Sequence, residues 1–336
     1  MAGLSRELGI DLGTLNTRIA EGNNILIQEP TVVAILLDEL KLVEIGQSAL
    51  DMMGRVPENI EVNRPLRYGV IAEYEITENL LRELVRQVTG RMLLFRPRLM
   101  ITLPFGVTSV ERRAAYEAGL GAGSRDVNLI QQPLAAAIGI DLPIGTPTGN
   151  MIICLGGGTT QAAVLAMNGI VSAESTRVAG LKLDDAIITY VRKKYGLIIG
   201  QPTAEQLKLR IGAAIPQEEQ QTMEIQGQDQ VSGLPRPVIL TTDEIVEALQ
   251  QPLSEIADTI RRVLEKTPPE LISDIIDRGV ALCGGTSLMQ GIDRYLTKAL
   301  GIPAYLVDNP TTCVVEGAAK SFSMLEVLSR NLPPKA

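Results

Sequence analysis

One short pattern occurs twice in the chain. Residues 8–20 read LGIDLGTLNTRIA, an apolar strand, a Gly-Thr turn and a second strand. Residues 151–164 read MIICLGGGTTQAAV, the same parts in the same order. Matching Asp11 to Cys154 sets the copies 143 residues apart (154 minus 11), far beyond the ~20–50-residue period of a solenoid. Such a repeat predicts two similar domains, each opening with a β-hairpin turned by glycine. A chain of 336 residues suits two domains, since single cores rarely grow past about 250–300 residues.

Strand and helix signals alternate after each hairpin. In the first half a helix is expected over 75–89, a buried strand over 98–103 and a helix over 109–122 with Ser109 as its cap. A strand at 127–130 then leads to a helix opened by Pro133. In the second half helices are expected over 182–195 and 203–213, with a polar hairpin and loop over 216–233. Thr241-Thr-Asp-Glu244 fits a capping box for a long helix towards Leu264. A strand at 279–282 runs into a third glycine turn, Cys283-Gly-Gly-Thr-Ser287. This order predicts an α/β protein with two sheets and a cleft between them.

Glycine at a strand turn lets backbone N–H groups approach an anion closely. Gly13-Thr14 and Gly156, Gly157, Gly158, Thr159 are therefore expected to grip a polyphosphate from opposite sides, with Gly284 and Gly285 near a base or a further phosphate. Asp11, at the end of its strand, is placed to orient waters around Mg2+. For any one turn the plain alternative is a tight hairpin; three such turns, two in a duplicated context, favour the nucleotide. Neither GxGxxG nor GxxxxGK[ST] occurs in the required context.

Composition excludes several chemistries. There is no His, which removes Ser-His and Cys-His nucleophiles and the usual zinc sets. A net charge of −8, 3% aromatic residues and no Trp argue against nucleic acid as a partner. Cys154, Cys283 and Cys313 are too few and scattered for a disulfide framework. Cys154 reads as a buried strand residue in preference to a redox thiol, because an apolar strand does not activate it. Residues 1–9 lack the build of a signal peptide, and the apolar run 151–171 is too interrupted by glycine and polar residues for a membrane span.

Several segments together carry a family resemblance. Residues 11–17 (DLGTLNT), 64–72 (RPLRYGVIA), 104–113 (PFGVTSVERR), 133–139 (PLAAAIG), 156–160 (GGGTT), 192–195 (RKKY) and 266–274 (KTPPELISD) stand in family order over about 8–328. The chain resembles the bacterial MreB branch of the actin, sugar-kinase and heat-shock-chaperone superfamily. The resemblance implies an actin-like ATPase fold, two lobes each with a mixed sheet flanked by helices and a small outer subdomain. Lobe I is expected at 1–145 (outer part about 28–70), lobe II at 146–330 (outer part about 181–244), and a tail at 331–336.

It also implies ATP or ADP with Mg2+, head-to-tail protofilaments of the chain with itself, and a cytoplasmic protein peripheral to the inner face of the cytoplasmic membrane. Its partners would be cell-shape or wall-synthesis membrane proteins. Asp11, Gly13, Thr14 and Asn16 would hold the nucleotide on one side and Gly156, Gly157, Gly158 and Thr159 on the other. Glu205 and Lys208 resemble the pair that holds the ribose; a solvated ion pair is the alternative. Gln132, and second Gln161, are the candidate catalytic residues, positioning water. A plasmid- or organelle-positioning filament, and a small-molecule kinase on the same fold, are the competing functions.

The chain departs from this family at acidic positions. Cys154, Gln132, Gln161, Leu181, Arg210 and Tyr68 stand where acids are usual, and Thr286 replaces a glycine. A thiol is no hard oxygen ligand, and an amide cannot take a proton from water. Slow or absent hydrolysis is expected, the alternative being that other groups compensate. Residues 91–96 (RMLLFR) read as a loop presenting Leu93, Leu94 and Phe95 to lipid between arginines. The alternative is a helix end running into a strand.

Overall fold

A computed structural model describes residues 5–39, 41–90 and 96–334. The repeated hairpins grow into two sheets of one design. In the first, β1 (Glu7–Leu12), β2 (Asn16–Glu21) and β3 (Asn24–Pro30) form an antiparallel meander. This sheet also carries a three-stranded neighbour, β5-β4-β6, built from β4 (Val33–Leu36), β5 (Lys41–Ile45) and β6 (Ile60–Asn63), with helix α1 (Gly46–Asp51). A short hairpin, β7 (Leu66–Arg67) and β8 (Val70–Ile71), follows, and then helix α2 (Tyr74–Thr89). Strands β9 (Arg98–Leu103) and β10 (Asp126–Gln131) complete the main sheet in the order β10-β9-β1-β2-β3, with α3 (Ser109–Gly121) between them in sequence.

Helix α4 (Gln132–Gly139) leads to the second sheet, with meander β11 (Asn150–Leu155), β12 (Thr160–Ala166) and β13 (Gly169–Thr176). Helix α5 (Gly180–Tyr195), β14 (Leu197–Ile198), α6 (Gln201–Ile211), β15 (Thr222–Asp229) and β16 (Pro235–Thr241) form an outer layer, with sheet order β14-β15-β16. Helices α7 (Thr242–Glu265) and α8 (Pro269–Arg278), strand β17 (Val280–Cys283), α9 (Ile292–Leu300), β18 (Ala304–Leu306) and α10 (Cys313–Lys320) follow. The second order, β13-β12-β11-β17-β18, mirrors the first. In each sheet two parallel strands stand against the first strand of a three-strand meander.

The duplication holds to single residues. Asp11 lies opposite Arg18 and Cys154 opposite Gln161, so both members of each pair are displaced by the same 143 positions. Gly13 N donates to Asn16 O at 3.2 Å, and Gly156 N to Thr159 O at 3.0 Å. Strands β11 and β12 are buried along their whole length, as expected of strands covered on both faces.

Between the sheets, α4 and α10 pack back to back. Residues 133–139 of α4 are all buried, and a Cβ on Gly139 or Gly317 would meet the facing carbonyl of Cys313 or Ala135. Only glycine permits that approach. Ala135, Ala136, Ile152, Ala163, Val314 and Ala318 belong to this shared core. Burying a side chain such as Ile152 contributes about 1.5–3 kcal/mol, so the core ties the two halves together below the cleft.

Three expectations need correction. Helix α3 is capped by Thr108, not Ser109, because Thr108 and Glu111 complete a capping box. Helix α6 starts at Gln201, with Pro202 in its first turn. The polar stretch 216–233 contains the regular strand β15, whose partner β16 lies beyond it. The capping box at Thr241 and Glu244 is present as read, and α7 continues through Pro252 to Glu265.

The cysteines are scattered along the chain but converge in space. Strands β11 and β17 pair in parallel with Cys154 beside Cys283, the two Sγ atoms lie 3.3 Å apart, and all three cysteines are free and buried. Hydrogen bonding to Cys154 and Cys313, then burial, push the Cys283 thiol well up, which suits a packing role.

Candidate functional site

The two hairpin turns face each other across a cleft of about 1030 Å³ measured out to its mouth. Asp11, Gly13, Thr14 and Asn16 line it from one side, and Gly156, Gly157, Gly158 and Thr159 from the other. Gln132, Gln161, Glu205, Lys208, Gly284 and Gly285 also line it. The structure therefore gathers the candidate site residues of the cleft around one cavity.

The turns nearly touch. A Cβ on Gly158 would meet the Thr14 side chain, and one on Gly157 would meet Leu15. Thr14 is held in turn by Gly69, whose N–H donates to Thr14 Oγ1 at 2.7 Å. Among the described residues, the amides of Thr14, Leu15, Gly157 and Gly158 donate to no carbonyl or side chain. Four backbone donors on two facing turns form a concave nest of the kind that takes anions.

The second turn is fastened from behind. Gly180 N and Leu181 N, at the start of α5, donate to the carbonyls of Gly156 (3.1 Å) and Gly157 (2.8 Å), which satisfies two of the helix's otherwise free amides. Thr286 Oγ1 donates to Gly156 O at 2.8 Å, which locks the third turn to the second. Gly284 has φ +90°, and a Cβ there would strike the Leu155 carbonyl; glycine is required at that point.

A polar chain crosses the cleft floor. Thr102 Oγ1 donates to Asp11 Oδ1 at 2.8 Å and Gln132 Nε2 to the same oxygen at 3.2 Å. Gln161 Nε2 donates to Gln132 Oε1, and Phe105 N donates to Gln161 Oε1 at 2.8 Å. The two amides expected to position water thus engage each other. Arg18, absent from the sequence reading, lies in the same cavity with Nη1 3.8 Å from Asp11 Oδ2.

At the other end of the cleft, Lys208 is paired with a residue not singled out from sequence. Its Nζ lies 2.6 Å from the fully buried Asp184 and donates to Gly180 O at 3.0 Å. The solvated Glu205–Lys208 pair is therefore not what forms, because α5 presents Asp184 to α6 from inside. Burial pushes the Asp184 carboxyl up to about 6, against the opposing pull of Lys208. Arg64, in the first half, donates to Leu15 O of the first hairpin turn at 3.3 Å. Its burial lowers its pKa, while the charges of Glu205 and Asp184 oppose that. Arg210 is exposed and does not line the cavity. Tyr68 takes a left-handed φ of 53° and stacks against Arg177, 5.0 Å from the guanidinium carbon.

Magnesium takes six oxygens at about 2.0–2.1 Å and keeps several waters. Beside the hairpin turns the cleft offers it one carboxylate, Asp11, whose Oδ1 is engaged twice and whose Oδ2 faces a guanidinium. The corresponding position of the other hairpin is the thiol of Cys154. Among the described residues no group of three or more His, Cys, Asp or Glu could hold a metal. The donor set fits a divalent ion poorly, leaving contact through water to Asp11.

Leu93, Leu94 and Phe95 lie outside the described residues. Among the described residues no helix is long and apolar enough to cross a membrane.

A family model described as MreB/Mbl protein matches residues 5–330. The cell shape-determining protein MreB of Escherichia coli (strain K12) is 44% identical over 329 residues, covering 96% of this chain and 95% of that protein. The crystal structure of MreB5 of Spiroplasma citri bound to ADP agrees with a TM-score of 0.91 at 32% identity, covering 98% of this chain and 99% of that one. The MamK double helical filament gives a TM-score of 0.79 at 19% identity, covering 97% and 99%, a likeness of fold.

Proposed function

Because this chain belongs to the MreB/Mbl family, and has the actin-like fold, we propose that it binds ATP or ADP between its hairpin turns and polymerises head to tail into filaments that help set cell shape. One observation carries the nucleotide part: the unpartnered amides of Thr14, Leu15, Gly157 and Gly158 converge on one cleft. Such a nest recognises a polyphosphate through the main chain. The ADP-bound relative, a third identical in sequence, supports the same reading. The two lobes, divided near residue 145, would close on the nucleotide, with Glu205 and Lys208 at its ribose. A magnesium ion arriving with the phosphates would meet Asp11 through water.

Hydrolysis is slow or impaired in this reading. Gln132 and Gln161, hydrogen-bonded to each other, to Asp11 and to Phe105, carry amides that cannot take a proton from water, and the carboxylate beside them, Asp11, is engaged by Thr102 and Gln132 and faces Arg18. Filaments would lie on the inner face of the cytoplasmic membrane, with Leu93, Leu94 and Phe95 dipping into lipid and each weak contact summed by avidity. Shape-determining or wall-synthesis membrane proteins would be the partners there.

Electron microscopy of the purified protein on liposomes, with ATP, ADP or no nucleotide, tests this together with phosphate release in the same tubes. Membrane-bound filaments that depend on nucleotide, with little phosphate released, are expected. Filaments indifferent to nucleotide, or no assembly in any tube, would contradict it.

A further inference from the structure

We propose that Arg18 supplies inside the cleft the positive charge that a divalent cation would otherwise bring, so that this chain holds a nucleoside diphosphate without requiring magnesium. The inference rests on the nucleotide reading above and concerns how the phosphates are neutralised.

Three observations carry it. Arg18 sits directly across the β1–β2 ladder from Asp11 and lines the cavity beside the turn amides. Its side chain is only 12% exposed, so its charge acts in a medium that screens it less than water does. Among the described residues, the charged side chains lining the cavity are Asp11, Arg18, Glu205 and Lys208, two of each sign. With Asp11 already facing a cation, the phosphate end lacks the surplus negative charge that attracts a hydrated Mg2+.

The guanidinium is also free to act. Nε donates to Gln28 Oε1 at 3.2 Å, while Nη1 stands 3.8 Å from Asp11 Oδ2, beyond hydrogen-bond reach. Among the described residues no hydrogen bond occupies the two Nη groups. A planar fork of N–H donors matches two phosphate oxygens at once. The second hairpin offers no acid to the magnesium hydration shell, since Cys154 stands at the position equivalent to Asp11 and the residue facing it is the neutral Gln161.

Calorimetric titration of ADP into the full chain, in magnesium and in EDTA, decides the matter. Wild type is expected to bind in both buffers with affinities within about threefold of each other. Arg18→Gln is expected to lose about tenfold or more in EDTA and to recover most of it when magnesium is added. Arg18→Lys, which keeps the charge, should still bind in EDTA, and melting curves report whether each variant is folded. Wild-type binding that needs magnesium would overturn this inference and leave the nucleotide reading standing. An equal loss for Arg18→Gln in both buffers would overturn it too, reducing Arg18 to a simple phosphate contact. No binding in any buffer would remove both readings.

Discussion

In the β1–β2 hairpin an aspartate faces an arginine, and at the same register in β11–β12 a cysteine faces a glutamine. The backbones of the two turns close through equivalent hydrogen bonds, Gly13 to Asn16 and Gly156 to Thr159. Duplication has thus kept the part of the design made of main chain and let the side chains part. On the reading proposed above, phosphate recognition belongs to the shared amides, and charge neutralisation to the first hairpin alone. The second hairpin contributes fit: its thiol packs against Cys283, and its glutamine ties the lobes together through Gln132.

Substitutions put that contrast to the test. The largest effect is expected from Gly158→Val, whose side chain would displace Thr14, with Thr14 Cβ only 2.8 Å from the new Cβ. ADP binding should weaken about a hundredfold, about 2.8 kcal/mol at 1.4 kcal/mol per factor of ten. Calorimetry checks this, with the melting temperature as control; unchanged affinity would refute a main-chain cradle. Next comes Gln161→Glu, which gives the second hairpin a carboxylate beside Gln132. Phosphate release should rise about tenfold, below the ~10²–10⁴ of a fully placed general base. A rate equal to wild type would mean that this position never meets the attacking water.

Cys154→Asp makes the hairpins alike at their acidic position. It should introduce a magnesium dependence of about fivefold in ADP affinity where wild type shows little, read in the same EDTA comparison. The smallest effect belongs to Asp184, beyond the hairpins. Its folded carboxyl titrates at about 6, above its ordinary 3.8. The native state therefore binds more protons than the unfolded chain between those values, and this group's contribution to stability falls as pH rises through that window. Asp184→Asn removes the slope, so the wild-type melting temperature should exceed the variant's by more at pH 5 than at pH 7.

Much of this arrangement was legible because it is local. A strand, a Gly-Thr turn and a strand announce a hairpin within a dozen residues, and Thr241 to Glu244 announces a helix start within four. The same signal stands at Thr108 to Glu111, one residue before the cap expected at Ser109. Arg18 could have been found by carrying the 143-residue offset one strand further, to Gln161. What could not be read was convergence between distant segments. Cys154 and Cys283 meet across 129 positions through strand pairing, and Lys208 takes its partner from the buried face of a different helix. Spacing along one element says which residues share a face, but not which face of another element receives them.

The most direct measurement is a structure of the protein with ADP bound, at a resolution that places both phosphates. Both are expected between the turns, within hydrogen-bond reach of the Thr14 and Leu15 amides on one side and the Gly157 and Gly158 amides on the other. Phosphates lying outside that space, or held only by side chains while those amides point elsewhere, would contradict it.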